Sequence, residues 1–183
     1  IATWGGARPY ANPHETKVVL VTWSSVRYGR EAYFVDHVGR GEWSSTRDSP
    51  GSWMQVDLQD YRVFNPTHYC LRHGYKNGAC RLQSFELSGS HDGVTWFKLD
   101  VQQHRDSPLP NSGYSTAAFP IGGAAAGQGA GAAAVGGEQG PGYRYFRLTQ
   151  TGENSSPGNG LVDMLCCAGF EVFGRLQTAK KEA

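Results

Sequence analysis

The feature that most constrains the fold of this chain is a succession of short segments in which apolar and polar residues alternate. Residues 53–58 place Met54, Val56 and Leu58 on one face, and residues 84–88 repeat the pattern. A period of two is typical of a strand with one buried face. The segments with this β character are 17–23, 53–58, 68–72, 84–88, 94–99, 143–148 and 169–173.

Clusters of turn-forming residues separate these segments, at 48–52, 74–78 and 152–158. The Asp92-Gly93 pair predicts a tight turn between two of the strands, and therefore a hairpin. A sustained 3.6-residue period is absent from the sequence, and only residues 30–38 indicate a single helical turn. Many short strands without long helices predict an all-β fold, either a sandwich or a barrel.

Length and charge narrow the classes of protein to which the chain can belong. Its 183 residues predict one domain. The net charge of +1 comes from 17 basic and 16 acidic residues. We expect no nucleic-acid partner, because dedicated nucleic-acid binders carry a basic excess. Apolar runs fall well short of 18 residues, so we expect no membrane span. The start at Ile1, without a leader, suggests a domain of a longer protein.

A stretch rich in glycine and alanine interrupts the strand pattern at 122–142. It contains nine Gly and seven Ala but no aromatic residue, so it offers too little apolar surface to offset its ordering entropy. We predict a flexible loop inserted into a single domain that spans 1–175 and is followed by a polar tail at 176–183. A phosphate-binding glycine loop is disfavoured, because neither the required lysine nor an amphipathic helix follows.

Four cysteines bear on the redox compartment: Cys70, Cys80, Cys166 and Cys167. Their number is too low for a disulfide-stapled secreted scaffold, and zinc-ligand spacings such as C-x-x-C are absent. We expect reduced thiols and an intracellular, cytoplasmic protein. The alternative is an extracellular domain with two disulfides, and the glycosylation triplet 154–156 is consistent with it.

Several motifs, taken in order, resemble those of the discoidin or coagulation-factor C-type (F5/8 type C) group of galactose-binding-like domains. The resemblance covers residues 10–174 and rests on 43–45, 52–58, 69–74, 88–96, 145–148 and 169–174. It implies an eight-stranded jelly-roll β-sandwich. The stretches 71–74 and 151–156 are most similar to the module found in HECT-type ubiquitin ligases and some BTB-domain proteins. The stretch at 122–142 departs from the usual pattern of the family. The lack of a cysteine near residue 18 means that the terminal disulfide of the secreted clotting-factor members is not evident, which argues against the extracellular, lipid-binding version.

Domains of this type bind ligands through loops at one end of the sandwich, and scaffold-borne loops commonly carry function. The candidate loops are 24–51, 72–81 and 151–162. Arginine pairs with carboxylate or phosphate, and tyrosine stacks on ligands, so basic and aromatic residues in these loops are candidate contacts. The candidate ligand-binding residues are Arg27, Tyr28, Arg30, Arg72, His73, Tyr75, Lys76, Arg81 and Asn154.

Two further features have both a structural and a functional interpretation. Trp43 and Trp53 can stack on a sugar, but such residues are more often core, and the family pattern places Trp53 on a strand as packing. Asp36 and Asp48 lie where related domains hold Ca²⁺. We predict no cofactor, with a calcium ion at these two aspartates as the alternative.

Signs of catalysis are weak, and we predict that the domain is not an enzyme. Residues 113–117 lack the final glycine of a nucleophile elbow, and the six histidines include no H-x3-H pair. Asp57 and Asp60 are close in sequence, but an acid/base pair also requires a pocket.

These observations favour a non-catalytic recognition module of a larger intracellular protein. The resemblance implies recruitment of a protein partner or substrate, in the context of a ubiquitin ligase. The first alternative is an extracellular adhesion domain that binds carbohydrate or lipid. The second is a structural part of a large assembly, in which the Gly/Ala insert is a spacer.

Overall fold

Two antiparallel sheets pack face to face in this chain. The computed structural model describes residues 9–39, 41–59, 62–103, 109–110, 112–122, 142–156, 158 and 160–178. Nearly all of the predicted Gly/Ala insert, and residues 179–183 of the predicted tail, lie outside these ranges. Within them no helix is long and apolar enough to cross a membrane.

Nine strands and one short helix form the described part of the chain. In chain order they are β1 (Leu20–Trp23), α1 (Glu31–Phe34), β2 (Ser44–Ser45), β3 (Trp53–Asp57), β4 (Arg62–His73), β5 (Ser84–Ser90), β6 (Trp96–Gln103), β7 (Thr116–Pro120), β8 (Tyr145–Gln150) and β9 (Cys166–Thr178). One sheet has the order β1-β3-β8-β5-β6 and the other β2-β9-β4-β7. The predicted all-β sandwich is therefore confirmed. Strand β9 extends to Thr178, into the segment 176–183 that the sequence predicted as a tail.

The alternation seen in the sequence decides which side chains form the core. In β3 and β8 every second residue is buried, which directs Met54, Val56, Phe146 and Leu148 between the sheets. The opposing sheet contributes Tyr69, whose ring stacks on Phe119 with centroids 4.9 Å apart. The Tyr69 hydroxyl donates to Asp100 Oδ2 at 2.5 Å, so this buried polar group keeps a partner.

The predicted hairpin joins β5 and β6. Ser90 pairs with Trp96, and Gly93 adopts φ +78° in the turn between them. The Asp92 carboxylate accepts hydrogen bonds from the backbone N–H groups of Val94 and Thr95, both at 2.8 Å. These bonds, Thr95 first, hold the pKa of Asp92 well below its usual range.

Candidate functional site

Strand pairing brings the three candidate loops to one end of the sandwich. Trp23 lies beside Met54 where β1 ends, and His73 lies beside Cys167 where β4 ends. Phe85 near the start of β5 pairs with Gln150 at the end of β8. The connections 24–52, 74–83 and 151–165 therefore leave the sheets on the same side.

Three aromatic side chains from two of these loops lie together at that end, and the central one, Trp43, contacts the other two. The rings of Tyr28 and Trp43 stack with centroids 4.3 Å apart, and Tyr75 meets Trp43 at 4.8 Å with its ring tilted by 53°. Tyr28 is 48 % exposed, and the other two are half-buried. We call Tyr28, Trp43 and Tyr75 the aromatic group.

A small apolar cluster, separate from the main core, supports this group from below. Its buried members are Cys80, Met164 and Cys166, and both Trp43 and Tyr75 pack against it. Tyr28 is held through its backbone, because its N–H donates to Ser45 O and its carbonyl accepts from Ser45 N. The aromatic group is therefore held in place on its inner side, and Tyr28 remains exposed to solvent.

Exposed cationic side chains belong to the same two loops. Arg27 and Arg30 flank Tyr28 along the chain, and Lys76 follows Tyr75; all three are exposed. The Arg27 backbone N–H donates to Ser45 O, which fixes its position beside the short strand β2. Arg30 lies over the ring of Tyr33 at 4.8 Å. Aromatic and cationic groups together suit a ligand with a flat face and acceptor oxygens.

Three further candidate residues use their side chains in hydrogen bonds to backbone carbonyls of the chain. Arg72 donates to the carbonyls of Asp36 and His37 at 3.1 and 2.9 Å. Arg81 is half-buried and donates to Leu109 O at 3.2 Å. The Asn154 amide is buried and donates to the carbonyls of Leu161 and Met164. Because these side chains hold the loops in place, we leave Arg72, Arg81 and Asn154 out of the proposed contact surface.

His73 is also an interior residue. Its ring is 1 % exposed, and neither ring nitrogen forms a hydrogen bond of normal geometry with a described residue. Burial lowers its pKa to about 4. A neutral, buried imidazole offers no contact to a ligand, so His73 also lies outside the proposed surface.

The two candidate calcium ligands lie in different surroundings. Asp36 Oδ1 accepts from the Tyr10 hydroxyl at 2.9 Å and from Val38 N at 3.1 Å. Asp48 Oδ1 accepts from Asp163 N at 2.7 Å. Across the described residues, His, Cys, Asp and Glu side chains form no group of three or more that could hold a metal ion. The calcium site stays a prediction.

The two tryptophans differ in the roles that the fold gives them. Trp43 belongs to the aromatic group, whereas Trp53 lies on the outer face of the five-stranded sheet. There the Arg147 guanidinium is 4.4 Å from the Trp53 ring centroid and 3.9 Å from that of Trp96. Trp53 therefore packs against a side chain of its own sheet instead of joining the core.

Sequence reasoning missed Tyr114, which borders the candidate site. Its hydroxyl donates to Gly41 O in the first loop, and its backbone adopts φ 58°. The preceding Gly113 has no room for a Cβ, which would lie 2.1 Å from Lys76 O. A Gly-Tyr pair in a turn was the available signal, but its contact partners are distant in sequence.

All four cysteines are free thiols in this structure. Cys80, Cys166 and Cys167 are buried, and Cys70 is partly buried. Burial raises the pKa of Cys167 to about 11 and that of Cys166 well above its ordinary value. These thiols therefore stay protonated near neutral pH, a form with little reactivity toward oxidants.

Comparison with known proteins identifies the family from the sequence itself. The sequence profile of the F5/8 type C domain matches residues 21–124, more than half of the chain. The chain belongs to the F5/8 type C domain family. The resemblance drawn from the motifs is confirmed.

Two curated relatives extend this finding. The chain is 31 % identical over 170 residues to the E3 ubiquitin-protein ligase Ufd4 of Drosophila melanogaster, with 91 % of the chain covered. It is 30 % identical over 187 residues to the E3 ubiquitin-protein ligase hecd-1 of Caenorhabditis elegans, with 100 % covered. In each case the chain spans 6 % of the relative's length. The similarity to ubiquitin-ligase sequences is thus confirmed.

A solved structure supports the fold. The CBM32 of AlyQ, in complex with 4,5-unsaturated mannuronic acid, aligns with a TM-score of 0.56 at 16 % identity. The alignment covers 85 % of this chain and 95 % of the other. At this identity the match establishes a shared jelly-roll sandwich.

Proposed function

We propose that this F5/8 type C domain is a non-catalytic recognition module of a larger intracellular protein. It binds a protein partner or substrate through the aromatic group and the cations beside it. The observation that carries the proposal is the contact of Trp43 with Tyr28 from its own loop and with Tyr75 from a second loop, on the support of a buried apolar cluster. Aromatic and arginine side chains dominate the binding energy of protein interfaces.

The relatives support a role in substrate recruitment for a ubiquitin ligase. Both curated relatives are E3 ubiquitin-protein ligases, and the chain corresponds to a small part of each. A rigid sandwich with an exposed loop surface is suited to present a partner to a catalytic region elsewhere in such a protein. The four free thiols support an intracellular setting, since reducing compartments keep thiols unpaired.

A carbohydrate ligand is the second candidate, and the aromatic group also favours it. Stacked aromatic rings with an exposed face can pack against the apolar face of a sugar ring. The AlyQ CBM32 is described in complex with a sugar acid, and the cations Arg27 and Lys76 would suit a carboxylate. A glycan array with the 183-residue chain tests this candidate directly.

The test of the proposal is partner capture by the chain and by a paired variant. Tyr28→Ala/Lys76→Ala removes an exposed aromatic and an exposed cation without touching the core. We expect capture of the bound partner to fall at least about tenfold, because loss of interface anchors of this type costs about 2 kcal/mol or more. Quantitative mass spectrometry of captured proteins measures the change.

Phe97→Ala/Lys98→Ala is the matched control, because it removes one exposed aromatic residue and one exposed lysine from β6, away from the candidate loops. Capture by this variant should equal that of the parent chain. Equal capture by all three proteins would reject the loop surface as the binding site. A glycan-array signal lost in the Tyr28→Ala/Lys76→Ala variant, without loss of protein capture, would favour the carbohydrate candidate.

A further inference from the structure

A pocket of about 390 Å³ opens between the two sheets, and its lining shares no residue with the aromatic group. Strand β2 pairs only with Cys166 and Cys167 of β9. The pocket is lined by residues 170–173, which follow on the same strand. The volume falls in the range of small-ligand sites. Its walls are mainly apolar and include Val35, Val56, Leu58, Phe64, Phe146 and Phe170.

Polar side chains meet where the pocket opens. The Tyr10 hydroxyl donates to Asp36 Oδ1 at 2.9 Å and accepts from the backbone N–H of His37 at 3.1 Å. The His37 ring nitrogen Nδ1 pairs with Glu171 Oε1. Tyr10, His37 and Glu171 all line the pocket, so an apolar interior ends at convergent polar groups.

The charge at this opening is acidic. Asp36 and Glu171 bring two carboxylates, and His37 is the titratable partner that faces Glu171. The Arg72 guanidinium contacts the backbone of the same residues, because it donates to the carbonyls of Asp36 and His37. Oε2 of Glu171 forms no hydrogen bond with the described residues, and the side chain is 31 % exposed. This oxygen can accept a bond from a ligand.

We propose that this pocket binds an apolar group that carries a primary ammonium. The apolar part, of about the size of a phenyl ring or a short alkyl chain, lies between the sheets. The ammonium lies at the opening and donates to Glu171. This site goes beyond the proposed function at the loop end and does not depend on it.

The acidic opening selects against the other classes of amphipathic ligand. A carboxylate or phosphate head group would lie next to Asp36 and Glu171, and like charges repel. An uncharged ligand gains only the burial of its apolar surface, whereas an ammonium adds a charge-assisted hydrogen bond. Two kinds of ligand combine a primary ammonium with an apolar group: a free amine, and a peptide whose first residue is large and apolar.

The experiment is a titration of the ¹⁵N-labelled 183-residue chain followed by amide shifts. The two amine probes are 2-phenylethylamine and the tripeptide amide Phe-Gly-Gly, and the matched probes without an ammonium are 3-phenylpropionate and the N-acetylated tripeptide. We expect shifts around Val35, Leu58 and Glu171 with the amines, and at least tenfold weaker binding of the matched probes. Tighter binding of the tripeptide would identify a peptide N-terminus as the source, and tighter binding of phenylethylamine a free amine.

Variants at the opening separate binding from folding. Glu171→Gln should weaken amine binding at least tenfold, whereas Glu86→Gln should leave it unchanged, because Glu86 pairs with Lys98 outside the pocket. His37→Asn should tighten binding, since it removes the group that competes for Glu171. A structural role of the His37–Glu171 pair would instead weaken binding in both His37→Asn and Glu171→Gln.

Several outcomes would overturn the proposal. These are equal binding of 3-phenylpropionate and phenylethylamine, no effect of Glu171→Gln, weaker binding in His37→Asn, or no shifts with either amine. Self-association of the chain through this face, seen by sedimentation and abolished by Glu171→Gln, would assign the pocket to a second copy instead. The Tyr28→Ala/Lys76→Ala variant should bind the amines normally, so failure at the loop end leaves this test intact.

Discussion

His73 shows how a single side chain can link the candidate loops to solution pH. It ends β4 directly beneath the loop that carries Tyr75, and its ring is buried without a hydrogen-bonded partner of normal geometry among the described residues. Protonation would place a charge in this interior position, close to the positive charge of Arg81. Burial therefore keeps the imidazole neutral at neutral pH.

The depressed pKa of His73 predicts a loss of stability in acid. Its pKa is about 4 in the folded chain and about 6.5 when unfolded. Between these values the unfolded state binds more protons, so the free energy of unfolding falls as pH decreases from about 6.5 to 4, by about 3 kcal/mol at most. Urea denaturation across this range measures the loss.

The control for this prediction is His73→Phe, which keeps a ring of similar size but cannot bind a proton. The pH dependence between 6.5 and 4 should be much smaller in this variant. An unchanged slope would show that groups other than His73 cause the acid sensitivity in this range. Asp92 is not one of them, because the stability that comes from its depressed pKa is lost only at still lower pH.

Residue identity alone could not separate contact residues from supporting ones in the candidate loops. Arg27 and Arg72 are the same residue type in two candidate loops, yet Arg27 is exposed and Arg72 donates to two backbone carbonyls. Asn154 belongs to a glycosylation triplet in sequence but is buried by the turn that it holds. The difference depends on long-range contacts, which a local motif does not encode.

At the scale of elements, the long pairing of β4 with β9 depends on a glycine at a close approach. Gly174 lies opposite Pro66, where the register shifts between Pro66 and His68. A Cβ at Gly174 would lie 2.0 Å from Asn65 O, and the backbone there adopts φ +155°. A side chain at this position would force the two strands apart.

Gly174→Ala should therefore destabilise the domain by about 2 kcal/mol or more, since both steric overlap and backbone strain oppose the methyl group. Gly158→Ala is the matched control, because open space surrounds a Cβ at that position. Thermal unfolding compares the two. A melting temperature of Gly174→Ala equal to that of Gly158→Ala would contradict the close approach of β4 and β9.

The strands that could be predicted are those with strong alternation or β-branched and aromatic content. Residues 53–58 and 84–88 correspond closely to β3 and β5, and the turn at Asp92-Gly93 joins β5 to β6 as expected. Strand β7, Thr116–Pro120, escaped prediction because its Thr-Ala-Ala-Phe-Pro sequence has weak β propensity and ends in proline. Its pairing with β4 supplies the stability that its local sequence lacks.

At the scale of the whole molecule, the F5/8 type C sandwich separates two candidate surfaces. The loop end carries the aromatic group, and the pocket lies between the sheets beside β9. The family motifs predicted a binding site at the loop end, because domains of the resembled type bind ligands through loops at one end of the sandwich. The pocket could not be predicted, since residues from 10 to 173 line it and only the folded chain brings them together.

The Gly/Ala insert offers a test of the single-domain interpretation of the sequence. The residues before and after it bond to the same strand: Ile121 N donates to Thr67 O, and Phe64 N donates to Tyr143 O. Thr67 and Phe64 are three residues apart on β4, so the two attachment points are separated by about 10 Å along the strand. A linker much shorter than the insert can span that distance.

Replacing residues 123–141 with a six-residue Gly/Ser linker should leave the domain folded and slightly more stable. The lower entropy cost of closing a shorter loop gives a gain of about 1 kcal/mol at most. Urea denaturation measures the change. Partner capture should stay at the parent level, because the aromatic group lies in the connections 24–52 and 74–83 and not in the one that is shortened. A loss of stability of several kcal/mol would mean that the insert buries surface against the sandwich, contrary to its composition.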